Sequence, residues 1–114
     1  MKSYTDILQS KKLADILPLE SADMRYAPFG DTHPWVWDEE VKLLEKDSIP
    51  CWSLAAIINV INTNYYTTLY HDGVAWNIDI IHHDNVKEKH SVYANTPIDA
   101  CYEMVLKLKN LNLL

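Results

Sequence analysis

Cys51-Trp52-Ser53 is the stretch whose residue types could do chemistry. It opens the least polar run in the chain, Ile49 to Ile61, which reads as a buried helix. Asp47-Ser48 would supply side-chain oxygens for the first unpaired amides, and Pro50 fits the first turn, where a missing N–H costs nothing. Cys51 would then sit at the positive end of the helix, where a thiol can have a lowered pKa and act as a nucleophile. His71, His82, His83 and His90 follow on expected strands, and a cysteine-dependent hydrolase or transferase would pair Cys51 with one of them, His71 and His90 being the candidates. The bland reading is preferred, because free cysteine is among the residues most often found in cores. Cys101, spaced as a core position of the last helix, reads as structural.

Other chemistries find less support. His82 and His83 are adjacent on a strand, point to opposite faces and cannot readily share an ion. Neither closely paired cysteines nor histidines one helical turn apart occur, so no metal is expected. With only Gly30 and Gly73 as glycines, neither a phosphate loop nor a dinucleotide fingerprint can be built, and no cofactor is expected. Glu39-Glu40 falls in a charged, solvated stretch without signs of a sugar cleft. A formal net charge of -6 speaks against a phosphate-binding surface, so nucleic acid is not an expected partner.

The elements that must position these residues follow from local signals. A length of 114 residues suits one domain. Residues 3–17 read as a first helix, with Ser3 as N-cap, Asp6 three positions on, and Pro18 as terminator. From about 18 to 50 four prolines punctuate an irregular segment with two islands fit for short edge strands, Asp23 to Tyr26 and Trp35 to Trp37. Asp38 to Lys46 could add a helical turn or two. Long irregular segments inside compact domains are often functional, and aromatics are favoured interface anchors. Tyr26, Trp35 and Trp37 are therefore the candidate binding residues.

After the central helix a three-stranded meander is expected. Asp72-Gly73 signals a hairpin, with Leu69 facing Trp76 and Tyr65 facing Ile80 if His71 and Val74 flank the turn. The third strand, Val86 to Ala94, has two registers open, one placing Tyr93 beside Trp76 and one placing Val92 beside Ile78. Thr96-Pro97-Ile98-Asp99 combines an N-cap, a proline at the first helical position and a carboxylate at the third. The last helix should present Ile98, Cys101, Val105, Leu108 and Leu111 to the sheet. The fold expected is α+β: a small antiparallel meander, extended or not by short edge strands, with helices on one face, in the order helix, irregular segment, helix, three strands, helix.

Three resemblances accompany this reading. Cys51-Trp52-Ser53 resembles the nucleophile position of papain-like cysteine proteases, without the glycines and the oxyanion-forming glutamine that surround it there. The helix, three strands and helix from residue 48 onward are similar in layout to a double-stranded-RNA-binding domain, but Thr96 to Asp99 stands where that fold would place phosphate-binding lysines. Tyr4-Thr5-Asp6-Ile7, Gln9 to Ala14, Ile16 to Met24, Ile49 to Ala56 and Asp99 to Met104 resemble segments of a family of small uncharacterised proteins of phages, prophages and mobile elements of gut Bacteroidales. That family implies a context and no activity. The expectation that follows is a small, non-enzymatic interaction protein acting on a protein partner, with self-association left open. RNA binding is the weaker alternative beside the Cys51 enzyme. Two free cysteines and no signal-like or membrane-spanning run point to a cytoplasmic protein.

Overall fold

The computed structural model describes residues 2–26, 33–36 and 48–114. The chain starts extended: Thr5 donates its amide to Trp52 O at 3.0 Å and Ser3 O accepts from Leu54 N at 3.0 Å. Helix α1, Ile7–Ala14, is capped by Asp6 rather than Ser3. Asp6 accepts from Gln9 N at 2.8 Å while the Gln9 side chain accepts from Asp6 N at 3.1 Å. This reciprocal cap satisfies two otherwise orphaned amides, while Ser3 is committed to pairing with the chain near residue 53.

The irregular segment supplies a sheet of its own. Strands β1 (Met24–Tyr26), β2 (Trp35–Val36) and β3 (Ile49–Cys51) pair antiparallel in the order β2-β1-β3. The two strand islands therefore form, but they do not extend the meander. Asp38 to Lys46, expected to hold a helical turn, lies outside the described residues. Assigning Ile49 to Cys51 to the central helix is corrected as well. Pro50 suits a first helical turn, but it also suits an edge strand, where the missing donor faces away from the ladder. Here it sits opposite Arg25.

Helix α2, Leu54–Asn62, begins three residues later than Cys51, with Ser53 as its cap. The Ser53 hydroxyl accepts from Ala56 N at 3.2 Å and donates to Asp23, whose other oxygen receives Ser53 N at 2.9 Å. Asp23 thus fixes the corner between β3 and α2.

The meander consists of β4 (Tyr65–His71), β5 (Trp76–His82) and β6 (Lys89–Ala94), in that spatial order. The first hairpin pairs His71 with Trp76, Leu69 with Ile78 and Tyr65 with His82, two residues away from the expected register. The turn residues are Gly73 and Val74, closed by Asp72 N to Ala75 O at 3.2 Å. Gly73 takes φ +95°, and the Asp72 carboxylate accepts from Val74 N and Ala75 N, each at 2.9 Å. These two bonds hold the Asp72 carboxyl down to about 2. A slip of two keeps every side chain on its face. For β6, Val92 lies opposite Ile78, which turns His90, Val92 and Ala94 inward and Lys89, Ser91 and Tyr93 outward.

Helix α3, Pro97–Asn110, starts as expected, with Thr96 accepting from Asp99 N at 3.1 Å. Ile98, Cys101, Val105 and Leu108 are buried, together with Ala100 and Met104. Leu111 is instead half exposed, because the helix ends before it. Helices α2 and α3 cover the inner face of the meander, and α1 lies against β3 and brings Leu13 into the same core as Trp52, Ile57, Ile78 and Leu108. The outer face of the meander is open, with Tyr66 and Tyr93 well exposed.

Candidate functional site

Cys51 is fully buried in β3 and receives no help from a helix terminus. Its sulfur lies 3.6 Å from the Thr5 hydroxyl and 3.4 Å from Thr5 O. Burial pushes the thiol up, and the neighbouring hydroxyls of Thr5, Ser10 and Tyr26 do not undo it. Cys101 is pushed up to about 12 by burial. His71 and His90 belong to the other sheet. His71 accepts from Gly73 N at 3.1 Å at the exposed hairpin, and His90 packs near Tyr65, its Nε2 buried without a hydrogen-bond partner. The structure does not join the thiol to either imidazole. We therefore expect neither cysteine to react with iodoacetamide in the native protein at pH 8, and both to react once urea unfolds it; native labelling at Cys51, read by peptide mass, would contradict this.

Of the three aromatics singled out in the sequence, Tyr26 is buried and donates its hydroxyl to Thr5 O at 2.6 Å, which makes it a brace inside the fold. Trp35 lies in β2 opposite Arg25, and Trp37 is outside the described residues.

A concave surface lies elsewhere. A groove of about 850 Å³ runs beside the last strand, walled by residues 91–95 of the β6 end, by Asp99 and Glu103 of α3, and by Lys2, Asp6 and Gln9 at the start of the chain. Val74-Ala75 of the hairpin tip also line it. Strand β6 has β5 as its neighbour on one side and none among the described residues on the other. His82 N donates to Glu88 O at 3.0 Å, which fixes the phase of the ladder. Rungs recur at every second residue of an antiparallel pair, so His90, Val92 and Ala94 bond to β5 while the amides and carbonyls of Lys89, Ser91 and Tyr93 point away from it. Lys107 Nζ confirms the direction by donating to Ser91 O at 3.4 Å. Among the described residues nothing bonds to the Tyr93 backbone.

The far wall is charged. Lys2 Nζ donates to Asp99 Oδ1 at 2.8 Å, to Gln9 Oε1 at 2.9 Å and to Asp6 Oδ2 at 3.3 Å. Gln9 Nε2 donates to Asp99 Oδ1 at 2.8 Å, so the residue that completes the α1 capping box also ties the helix to α3. Partial burial works against the Asp99 charge, but the Lys2 ammonium, the Gln9 amide and the Thr96 hydroxyl together hold its carboxyl below the ordinary value of 3.8. Asp99 also stands in the first turn of α3, where the helix dipole favours an anion. The lining includes neither thiol nor imidazole. Its resources are outward strand groups on one side, of which Ser91 O already accepts from Lys107 while the Tyr93 amide and carbonyl are unpaired among the described residues, and carboxylates on the other, which suit recognition.

Sequence reasoning passed over this site. Asp99 was visible only as a capping residue, Tyr93 only as one side of an unsettled register, and the tie from Lys2 to Asp99 gave no signal because it spans 97 residues. Comparison of the chain with protein-family models, with curated proteins and with solved structures finds no match. No helix of the described residues is long and apolar enough to cross a membrane, and no group of three or more His, Cys, Asp or Glu among them could hold a metal ion.

Proposed function

We propose that the protein is a protein-interaction module that takes an extended segment of a partner as a fourth strand along the edge of β6. The observation that carries this reading is the set of outward-pointing backbone groups at Ser91 and Tyr93, bordering a groove of about 850 Å³. An unpaired strand edge is a template for another chain, and strand addition gains affinity from main-chain hydrogen bonds while alternate side chains give specificity. Tyr93 is 74% exposed and supplies an aromatic surface beside the incoming strand.

The test is a selection from a random peptide library on the immobilised protein. The selected peptides are expected to slow hydrogen exchange at the Ser91 and Tyr93 amides. They should lose at least about tenfold in affinity on Tyr93→Pro, which removes an outward donor without touching the rungs to β5. Tyr66→Ala, on the same open face but on β4, should leave binding unchanged. Selected peptides that protect other amides, or that bind Tyr93→Pro as well as the parent, would overturn the reading.

A further inference from the structure

We infer that the segment bound along β6 carries a lysine or arginine whose cation is received by Asp99, with Asp6 and Glu103 beside it, in the place that Lys2 now holds. This rests on the edge-pairing reading and names the chemistry of its ligand. The groove already contains an ammonium group: Lys2 Nζ touches Asp99, Gln9 and Asp6 oxygens at 2.8, 2.9 and 3.3 Å. The wall is therefore built to the size and hydrogen-bonding needs of a primary ammonium, and it could take one side of a guanidinium fork in the same way.

Charge points the same way. Among the described residues that line the groove, Asp6, Asp99 and Glu103 stand against one cation, Lys2, so their carboxylates outnumber it even with Lys2 in place. Lys107, one turn beyond Glu103, is engaged at Ser91 O on the β6 edge, and Lys89 stands on the outward face of β6; neither side chain lines the groove beside Asp6 and Asp99. The Lys2 and Asp99 side chains are each 29% exposed and Asp6 is 53% exposed, so water reaches the pairs and screens them. An incoming cation already pinned by a strand backbone can exchange with it, leaving Lys2 to solvent. An acidic segment would meet three carboxylates across the groove, so the site selects against it as well as for its opposite.

The peptides selected on the protein serve as the probe, each compared with versions in which one basic residue is replaced by alanine or glutamate. The expected result is a basic residue in every edge-binding peptide and a loss of about tenfold on its neutralisation. A similar loss is expected on Glu103→Gln and on Asp99→Asn, with a gain of severalfold on Lys2→Ala, which removes the resident competitor. Melting temperature checks that each variant is folded. Peptides that protect Ser91 and Tyr93 yet tolerate loss of every basic residue would overturn this inference and leave strand addition standing. Peptides that leave those amides unprotected would overturn both.

Discussion

Replacing Trp52 with alanine is expected to cost about 3–5 kcal/mol of stability, enough to leave a domain of ordinary stability close to unfolding. The side chain is fully buried in the core that joins α1, α2 and the meander, and its indole N–H donates to Ser21 Oγ at 2.9 Å. Truncation removes a large apolar surface, leaves a cavity that the surrounding strands and helices can only partly fill, and strands the Ser21 turn. Trp52→Phe separates these contributions. It keeps most of the packing and loses the hydrogen bond, so a cost of about 1–2 kcal/mol is expected. Urea titration of both variants checks the pair, and a Trp52→Ala midpoint close to that of the parent would show that the indole does not anchor the core.

The second large effect belongs to Thr5, a buried polar residue that five groups converge on. Its hydroxyl lies 2.7 Å from Ser10 Oγ and accepts from Trp52 N at 3.1 Å; its carbonyl receives the Tyr26 hydroxyl at 2.6 Å and the Cys51 thiol at 3.4 Å; and its amide reaches Trp52 O at 3.0 Å. Thr5→Val keeps the shape and deletes the hydroxyl. The Trp52 amide is then buried without a partner, and the variant should lose about 1–3 kcal/mol, whereas Thr5→Ser should lose much less because the acceptor is retained. In a double-mutant cycle with Ser10→Ala the two losses should fall short of additive, since both remove the same contact. Strict additivity in thermal melts would show that the hydroxyls do not act as a pair.

Thr5 and Trp52 also explain where the sequence could be read and where it could not. The start of α3 was legible because Thr96, Pro97 and Asp99 carry their signal within four positions. The inner faces of β4 and β5 were legible because alternation survives a slip of two, even though the turn was placed one residue too early on each side. Cys51 was misplaced because Pro50 satisfies two local rules, and only pairing with β1, 25 or so residues earlier, decides between them. The groove was illegible for the same reason in stronger form. Every wall is contributed by a different part of the chain, and the vacancy on β6 is a property of which strands are neighbours, which no window of sequence contains.

The tie between Lys2 and Asp99 has a consequence for biosynthesis. A nascent chain that has emerged as far as residue 95 holds all three strands of the meander, with contacts mostly between near neighbours in sequence. The carboxylates opposite the β6 edge flank the meander in sequence, Asp6 ahead of it and Asp99 and Glu103 after it. If β6 takes a partner strand as proposed, then until α3 has followed that edge would stand without the carboxylates proposed to discriminate among segments, and the chain would be least selective in that interval.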